Sequence, residues 1–246
     1  MRTLILSDLH LGSRNCHAGL ITEILERERF DRLILNGDTL HSINLRKLTP
    51  KHWGILNWLR QLARSREMIL LRGNHDHECD YTPSATGHPN GDANGTANGE
   101  AAAFGSNHVL PALLDVPMIE EYQLEIKCRP YAVLHGDRFD PTLKNALASE
   151  MAGWCYQFAQ KVNKKLAKWL KKKSKRWSGV LEVMRRRSVA YARERGTDGI
   201  ITGHTHFPED LHIDDVHYLN TGCWTEPPCT YITVDPAGAR LHHVPD

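Results

Sequence analysis

The 246-residue chain predicts an α/β fold, and three observations carry that prediction. Three short apolar runs, Leu4-Ile5-Leu6, Arg32-Leu33-Ile34-Leu35 and Met68-Ile69-Leu70-Leu71, have the length and composition of buried strands. Segments of helical period separate them. Each apolar run ends in a cluster of carboxylate, amide or imidazole side chains. Alternating strands and helices imply parallel pairing with right-handed crossovers. The three strands would then deliver their polar residues to one sheet edge, where open α/β sheets bind ligands.

Taken in order, the first strand runs into Ser7-Asp8-Leu9-His10-Leu11-Gly12. A helix over about 17–29 follows, carrying Leu20, Ile21, Ile24 and Leu25. The second strand ends in Asn36-Gly37-Asp38, and a helix over about 50–66 places Trp53, Leu56, Leu59 and Leu62 near helical spacing. The third strand ends in Gly73-Asn74-His75-Asp76. Residues 82–107 hold five Gly, four Asn and six Ala, with Phe104 as their only large apolar side chain, and predict a weakly ordered loop. A partly alternating strand over 117–126, a turn at Arg129-Pro130 and a strand over 131–134 lead into His135-Gly136-Asp137. A helical region covers about 141–195. Gly199-Ile200-Ile201-Thr202 then runs into Gly203-His204-Thr205-His206. Short strands near 215–220, 229–234 and 239–244 close the chain, so the second half reads as another sheet packed on the first.

The bulk numbers exclude several classes. No apolar run approaches the roughly 20 residues of a membrane-spanning helix. The run after Arg2 is cut short by Asp8, which argues against a secretion signal and for the cytoplasm. Six scattered cysteines form no Cys-x-x-Cys pair, so neither a zinc ribbon nor a redox motif is indicated. The formal net charge of +2 hides an asymmetry: residues 138–195 hold 16 Lys and Arg against 4 Asp and Glu.

The strand ends together supply Asp8, His10, Asp38, Asn74, His135, His204 and His206. Oxygen and imidazole donors without a thiolate suit Mn²⁺, Fe or Zn²⁺, and the histidines disfavour Mg²⁺ or Ca²⁺. Seven donors exceed the needs of one ion and fit two divalent ions, Mn²⁺ expected and Fe or Zn²⁺ the alternatives, sharing a bridging carboxylate. Such a pair activates a water for in-line attack and neutralises charge on a phosphate oxygen. His75, next to a ligand, is the candidate to protonate the leaving oxygen or steady the transition-state charge. Asp76 or a backbone carbonyl would orient its ring.

Asp-x-His, Gly-Asp, Gly-Asn-His-Asp, His-Gly-Asp and Gly-His-x-His, in this order over residues 8–206, resemble the calcineurin-like metallophosphoesterases. The resemblance implies a four-layer α/β/β/α sandwich with a dimetal site at one edge. It implies Asp8, His10, Asp38 and His206 on one ion, and Asp38, Asn74, His135 and His204 on the other. Gly37-Asp38-Thr39-Leu40-His41-Ser42 lacks the Asp-Arg-Gly of the protein Ser/Thr phosphatases. Ser7 to Gly12 and the late Gly222-Cys223-Trp224 are more similar to the UDP-2,3-diacylglucosamine pyrophosphohydrolases, in the subgroup with histidine at position 75. That likeness implies hydrolysis of an acylated nucleotide-sugar to UMP and an acylated sugar phosphate, with a helical lid over the acyl chains. The alternative is a phosphodiesterase or nuclease acting on nucleotides or nucleic acid.

Within the helical region, Leu143, Leu147, Met151, Trp154, Phe158, Val162, Leu166 and Trp169 form one apolar stripe. Lys164, Lys165 and Lys168 stand beside it, and Arg185, Arg186 and Arg187 lie further on. Three readings compete for this basic insert: a solvated face packed on the core, a surface that lies on anionic lipid, and a nucleic-acid contact. The lipid reading makes the enzyme peripheral on the inner membrane and makes Trp154, Phe158, Lys164, Lys165, Lys168 and Trp169 its substrate-facing or membrane-facing residues.

Overall fold

The computed structural model describes residues 1–76, 109–143 and 175–245, with side chains left out at 175–178. The first sheet contains β1 (Thr3–Leu6), β2 (Arg32–Asn36), β3 (Glu67–Leu71) and β4 (Met118–Ile119), all parallel. The second contains β5 (Tyr122–Ile126), β6 (Arg129–Val133), β7 (Gly199–Thr202), β8 (Glu209–Ile213) and β9 (Val216–Asn220), in the order β5-β6-β7-β9-β8. Strands β6, β7 and β9 run parallel, and β5 and β8 flank them antiparallel. Strands β10 (Thr230–Asp235) and β11 (Gly238–His243) return to the first sheet, where β10 pairs antiparallel with β1.

Helices α1 (Ala18–Arg27), α2 (Pro50–Ser65) and α3 (Val109–Leu114) cover the outer face of the first sheet, and α4 (Lys175–Glu194) covers the second. Alternation along the strands assigns each side chain to a layer. Leu4, Leu6, Leu33 and Leu35 pack outward on Ile21, Ile24, Ile55 and Leu59. Ile5, Ile34 and Leu71 point inward to Val133, Ile201 and Leu219 of the second sheet. Ala132, Ile200 and Tyr218 meet Met184, Val189 and Ala192 of α4. Burying each large aliphatic side chain contributes about 1.5–3 kcal/mol, and three such layers lock the α/β/β/α sandwich.

The start of α2 is tied to the first polar loop. Thr49 caps the helix and Pro50 fits its first turn, where a missing N–H costs nothing. The ring Nδ1 of buried His52 accepts from Thr49 N and from Gly12 N, each at 3.2 Å.

Several expectations need correction. The tail does not stay together: β9 belongs to the second sheet, whereas β10 and β11 extend the first. Strand periodicity does not encode which sheet a strand joins. The expected strand over 117–126 divides at Glu120 and Glu121 into β4 and β5, one in each sheet. The turn falls at Lys127-Cys128, not at Arg129-Pro130; both turn residues have positive φ, 53° and 60°, as a tight hairpin turn demands. Strand β8 was not expected, because three of its five residues are exposed. The loop 82–107 and most of the basic insert, from residue 144 to residue 174, lie outside the described residues.

Candidate metal centre

All seven donors converge where the strands end. Asp8 and His10 follow β1, Asp38 follows β2, Asn74 follows β3, His135 follows β6, and His204 and His206 follow β7. Five of the seven hold left-handed backbone: Asp8 at φ 54°, His10 at 47°, Asp38 at 51°, His204 at 65° and His206 at 58°. For a residue with a Cβ this costs about 1–2 kcal/mol, so it persists only where surrounding bonds impose it. Those bonds are present. Asp8 N donates to Gly37 O at 3.1 Å, His10 N to Asp38 O at 2.9 Å, and Trp224 N to Asp8 O at 3.1 Å. The backbone also requires Gly73, where a Cβ would strike Asp38 N and Oδ1.

The donors form two clusters. In the first, His206 Nε2 lies 3.2 Å from Asp8 Oδ1 and 3.1 Å from His10 Nε2. In the second, Asp38 stands beside His135 and His204, and His204 Nδ1 lies 2.9 Å from Asn74 Oδ1. Asp38 Oδ2 joins them, 3.6 Å from His10 Nε2 and 3.4 Å from His135 Nε2. Its other oxygen accepts from His75 N at 2.9 Å, which holds the carboxylate in place.

The buried atoms fit metal ions. Asp8 Oδ1 and His135 Nε2 are fully buried with no hydrogen-bond partner, a costly state unless something else satisfies them. His135 Nδ1 lies 2.9 Å from Asn36 O and donates there, which leaves Nε2 as the nitrogen aimed at the cluster. His204 meets Asp140 Oδ2 at 2.9 Å through Nε2, which leaves Nδ1 as the nitrogen that could hold an ion. Atoms each about 2.0–2.2 Å from a shared ion sit roughly 3–4 Å apart, as these do.

Electrostatics agree with a cationic occupant. Burial opposes charge on Asp8, yet His135 and His206 outweigh it and hold its pKa down at about 2. Asp38 is likewise burdened by burial and still falls well below the carboxylate range, chiefly through His135. Burial also opposes charge on His135, but Asp38 and Asp8 push its pKa up to about 10. Burial drives His10 down to about 3.

His75 stands beside the first cluster, its ring centroid 5.0 Å from that of His10. Its Nδ1 lies 3.0 Å from His41 O, so of the two expected orienting groups a backbone carbonyl takes the part. Asp76 does not touch that ring. It is buried and accepts from Leu40 N at 2.9 Å and Gly73 N at 3.2 Å, which ties the second polar loop to the third. Burial and the charge of Asp38 raise its pKa to about 7. Its two oxygens are engaged with backbone N–H groups of the two loops.

Two residues escaped sequence reasoning. His41 stacks on His75 at 5.5 Å and 15°, with Nδ1 3.5 Å from His10 Nδ1; its signal was its place three residues beyond Asp38. Asp140 orients His204, and only the fold brings them together. Trp224 is fully buried, and its backbone links Asp8 to His17, so it braces the first loop. The expected insert residues Trp154, Phe158, Lys164, Lys165, Lys168 and Trp169 lie outside the described residues. On α4, Arg185 binds Glu209, Arg187 donates to Phe139 O and Arg193 reaches Asp214 and Asp215, and just beyond it Arg195 reaches Glu121. Those cations are spent within the fold. No helix among the described residues is long and apolar enough to cross a membrane.

Comparisons with known proteins follow the same lines. Solved structures similar in shape include a phosphoesterase from E. coli, at 15% identity over 96% of this chain and 88% of that one, with a TM-score of 0.49. An archaeal phosphodiesterase aligns at 17% identity over 99% and 100%, with a TM-score of 0.49. Wild-type Vps29 from Entamoeba histolytica, complexed with Zn²⁺, aligns at 14% identity over 99% and 98%, with a TM-score of 0.47. No curated protein sequence matches the chain. The family model described as calcineurin-like phosphoesterase matches residues 1–208. Because that match takes in every strand-end motif, the chain belongs to the calcineurin-like phosphoesterases and is a metal-dependent hydrolase of phosphoesters.

Proposed function

We propose that the centre bridged by Asp38 holds two divalent ions, Mn²⁺ first among them, and cleaves a phosphoanhydride or phosphodiester. The acylated nucleotide-sugar UDP-2,3-diacylglucosamine is the substrate of choice. The observation that carries the dimetal reading is Asp38 Oδ2, within 3.6 Å of a histidine nitrogen from each cluster. Two ions there would supply a nucleophilic water at neutral pH and Lewis-acid neutralisation of phosphate charge.

The chain's own groups do the rest. Asp8 and Asp38 arrive ionised and buried, which gives the phosphate a site whose negative charge is already matched to cations. His75 donates Nδ1–H to His41 O, so Nε2 is the nitrogen left for the leaving oxygen; the ring acts there as the imidazolium, which gives its Nε2 proton to that oxygen and leaves neutral imidazole with Nδ1–H still on His41 O. The stacked His41 ring limits the tilt of His75. Asp76, tying Leu40 to Gly73, keeps the bridging carboxylate and His75 in register.

Support for the lipid substrate is narrower. It rests on Ser7-Asp8-Leu9-His10-Leu11-Gly12 and Gly222-Cys223-Trp224. A nucleic-acid substrate draws less support, because four arginines of the basic segment are engaged with the protein's own acceptors. Purified enzyme with added Mn²⁺ is to be assayed on UDP-2,3-diacylglucosamine beside bis(p-nitrophenyl) phosphate. Fast UMP release with slow turnover of the soluble ester is expected. Turnover of the soluble ester alone would discard the lipid and keep the dimetal chemistry.

A further inference from the structure

A second group of metal-ligating side chains lies away from this centre, on the β8–β9 hairpin. His212 and His217 are directly opposite in the antiparallel ladder. Their rings stack with centroids 4.3 Å apart and 8° between planes. Asp210, two residues before His212, shares its face because side chains alternate along a strand. Its Oδ1 lies 2.8 Å from His217 Nε2. One ligand atom from each residue falls within 4.8 Å of the others. His217 pairs with Gly199, whereas the catalytic edge begins beyond Thr202 and Asn220. At about 3.3 Å per residue, the group stands roughly 10 Å back along the strands.

We propose that Asp210, His212 and His217 bind a third divalent ion of the zinc class. The donor set, two imidazoles and one carboxylate, selects Zn²⁺, Cu²⁺ or Ni²⁺ over Mg²⁺ or Ca²⁺. The orienting partner that metal-bound histidines carry is already in place: Tyr131 Oη lies 2.9 Å from His217 Nδ1. Without an ion, Nε2–H donates to Asp210 Oδ1 and Nδ1 accepts from the Tyr131 hydroxyl; with an ion at Nε2 the ring proton sits on Nδ1 and is donated to Tyr131 Oη. Two ligands about 2.0–2.1 Å from a tetrahedral ion stand roughly 3.3 Å apart, so Asp210 and His217 need move by about half an ångström, while the exposed His212 ring turns out of the parallel stack to aim a nitrogen lone pair at the same ion. The proton that now joins them is what the ion would displace. Because β8 is the edge strand of its sheet, the site opens to solvent and leaves coordination positions for water. An ion there clips the two strands of the hairpin and stabilises the folded chain by mass action.

The test uses the full-length protein, dialysed to equilibrium against Zn²⁺ at pH 7.5, with zinc per chain measured by elemental analysis. His212→Ala is the variant of choice, because His212 is exposed and has no part in the catalytic centre. Wild type is expected to retain one more zinc per chain than His212→Ala, and Asp210→Asn to bind that extra ion at least tenfold more weakly. Zinc entering the dimetal centre is common to all three and cancels in the difference. Zinc is also expected to raise the melting temperature of wild type more than that of His212→Ala. Equal stoichiometry in wild type and His212→Ala would overturn the proposal, whatever the fate of the dimetal reading.

Discussion

His75 Nδ1 lies 3.0 Å from the carbonyl oxygen of His41, and that bond decides which nitrogen of His75 is left to meet a substrate. His75→Ala should lower kcat by roughly 10²–10⁴, the range of a lost general acid, with metal content unchanged. His41→Ala keeps the backbone carbonyl and removes only the stacked ring, so its loss should be the smaller one. Steady-state kinetics with elemental analysis of both variants checks this; an unchanged kcat in His75→Ala would remove the residue from proton transfer.

The Asp38 carboxylate lies beside a histidine ring of each cluster, 3.6 Å from His10 Nε2 and 3.4 Å from His135 Nε2. Asp38→Ala should abolish turnover and reduce bound metal to below two ions per chain, while far-UV circular dichroism stays that of the wild type. A fully active variant would sink the shared-carboxylate assignment.

Asp76 makes a different prediction from the catalytic residues. Its two oxygens accept from Leu40 N and Gly73 N in the interior. Each buried N–H left without an acceptor costs about 1–3 kcal/mol. Asp76→Ala should therefore lower the melting temperature by several degrees, since about 1 kcal/mol moves a chain of this size by roughly 2–4 °C. Asp76→Asn, which keeps one acceptor oxygen, should retain part of that stability. Calorimetric scans of both variants decide between a brace and a proton-transfer group.

Metal binding should release protons. Burial opposes charge on His135, but Asp38 and Asp8 hold its pKa up at about 10, so without metal the ring is protonated at neutral pH. His206 is also raised, against its own burial, by Cys223 and Asp8. An ion must displace those protons, so apparent affinity rises as pH rises toward 10. Asp8, held at about 2, and Asp38 are ionised beforehand and release none. Titration calorimetry at pH 7 in buffers of differing ionisation enthalpy should show roughly one to two protons released per chain. Affinity independent of pH between about 6 and 9 would contradict this.

Much of the architecture was legible because local physics wrote it. Leu4-Ile5-Leu6, Leu33 to Leu35 and Met68 to Leu71 are apolar on both faces because they lie between a helical layer and a second sheet. The donors Asp8, His10, Asp38, Asn74, His135, His204 and His206 could be collected from one dimension because each follows a strand that ends at the same edge. The exposed strand β8 was silent, since half-solvated positions carry no apolar period.

What the amino-acid order determined by itself was therefore most of the strands, the helices α1 and α2 between the first three, and the candidate donors at the strand ends. The family motifs follow from that order too, because they are contiguous. Tertiary structure decided what no short segment encodes. It sent β10 back beside β1, set Asp38 Oδ2 between His10 and His135, and gave His204 its partner Asp140 across 64 residues of chain. It also turned Asp76 inward and His75 outward from adjacent positions. The physical reason is the same in each case: a hydrogen bond or a shared ligand depends on the distance between atoms, and sequence separation does not set that distance.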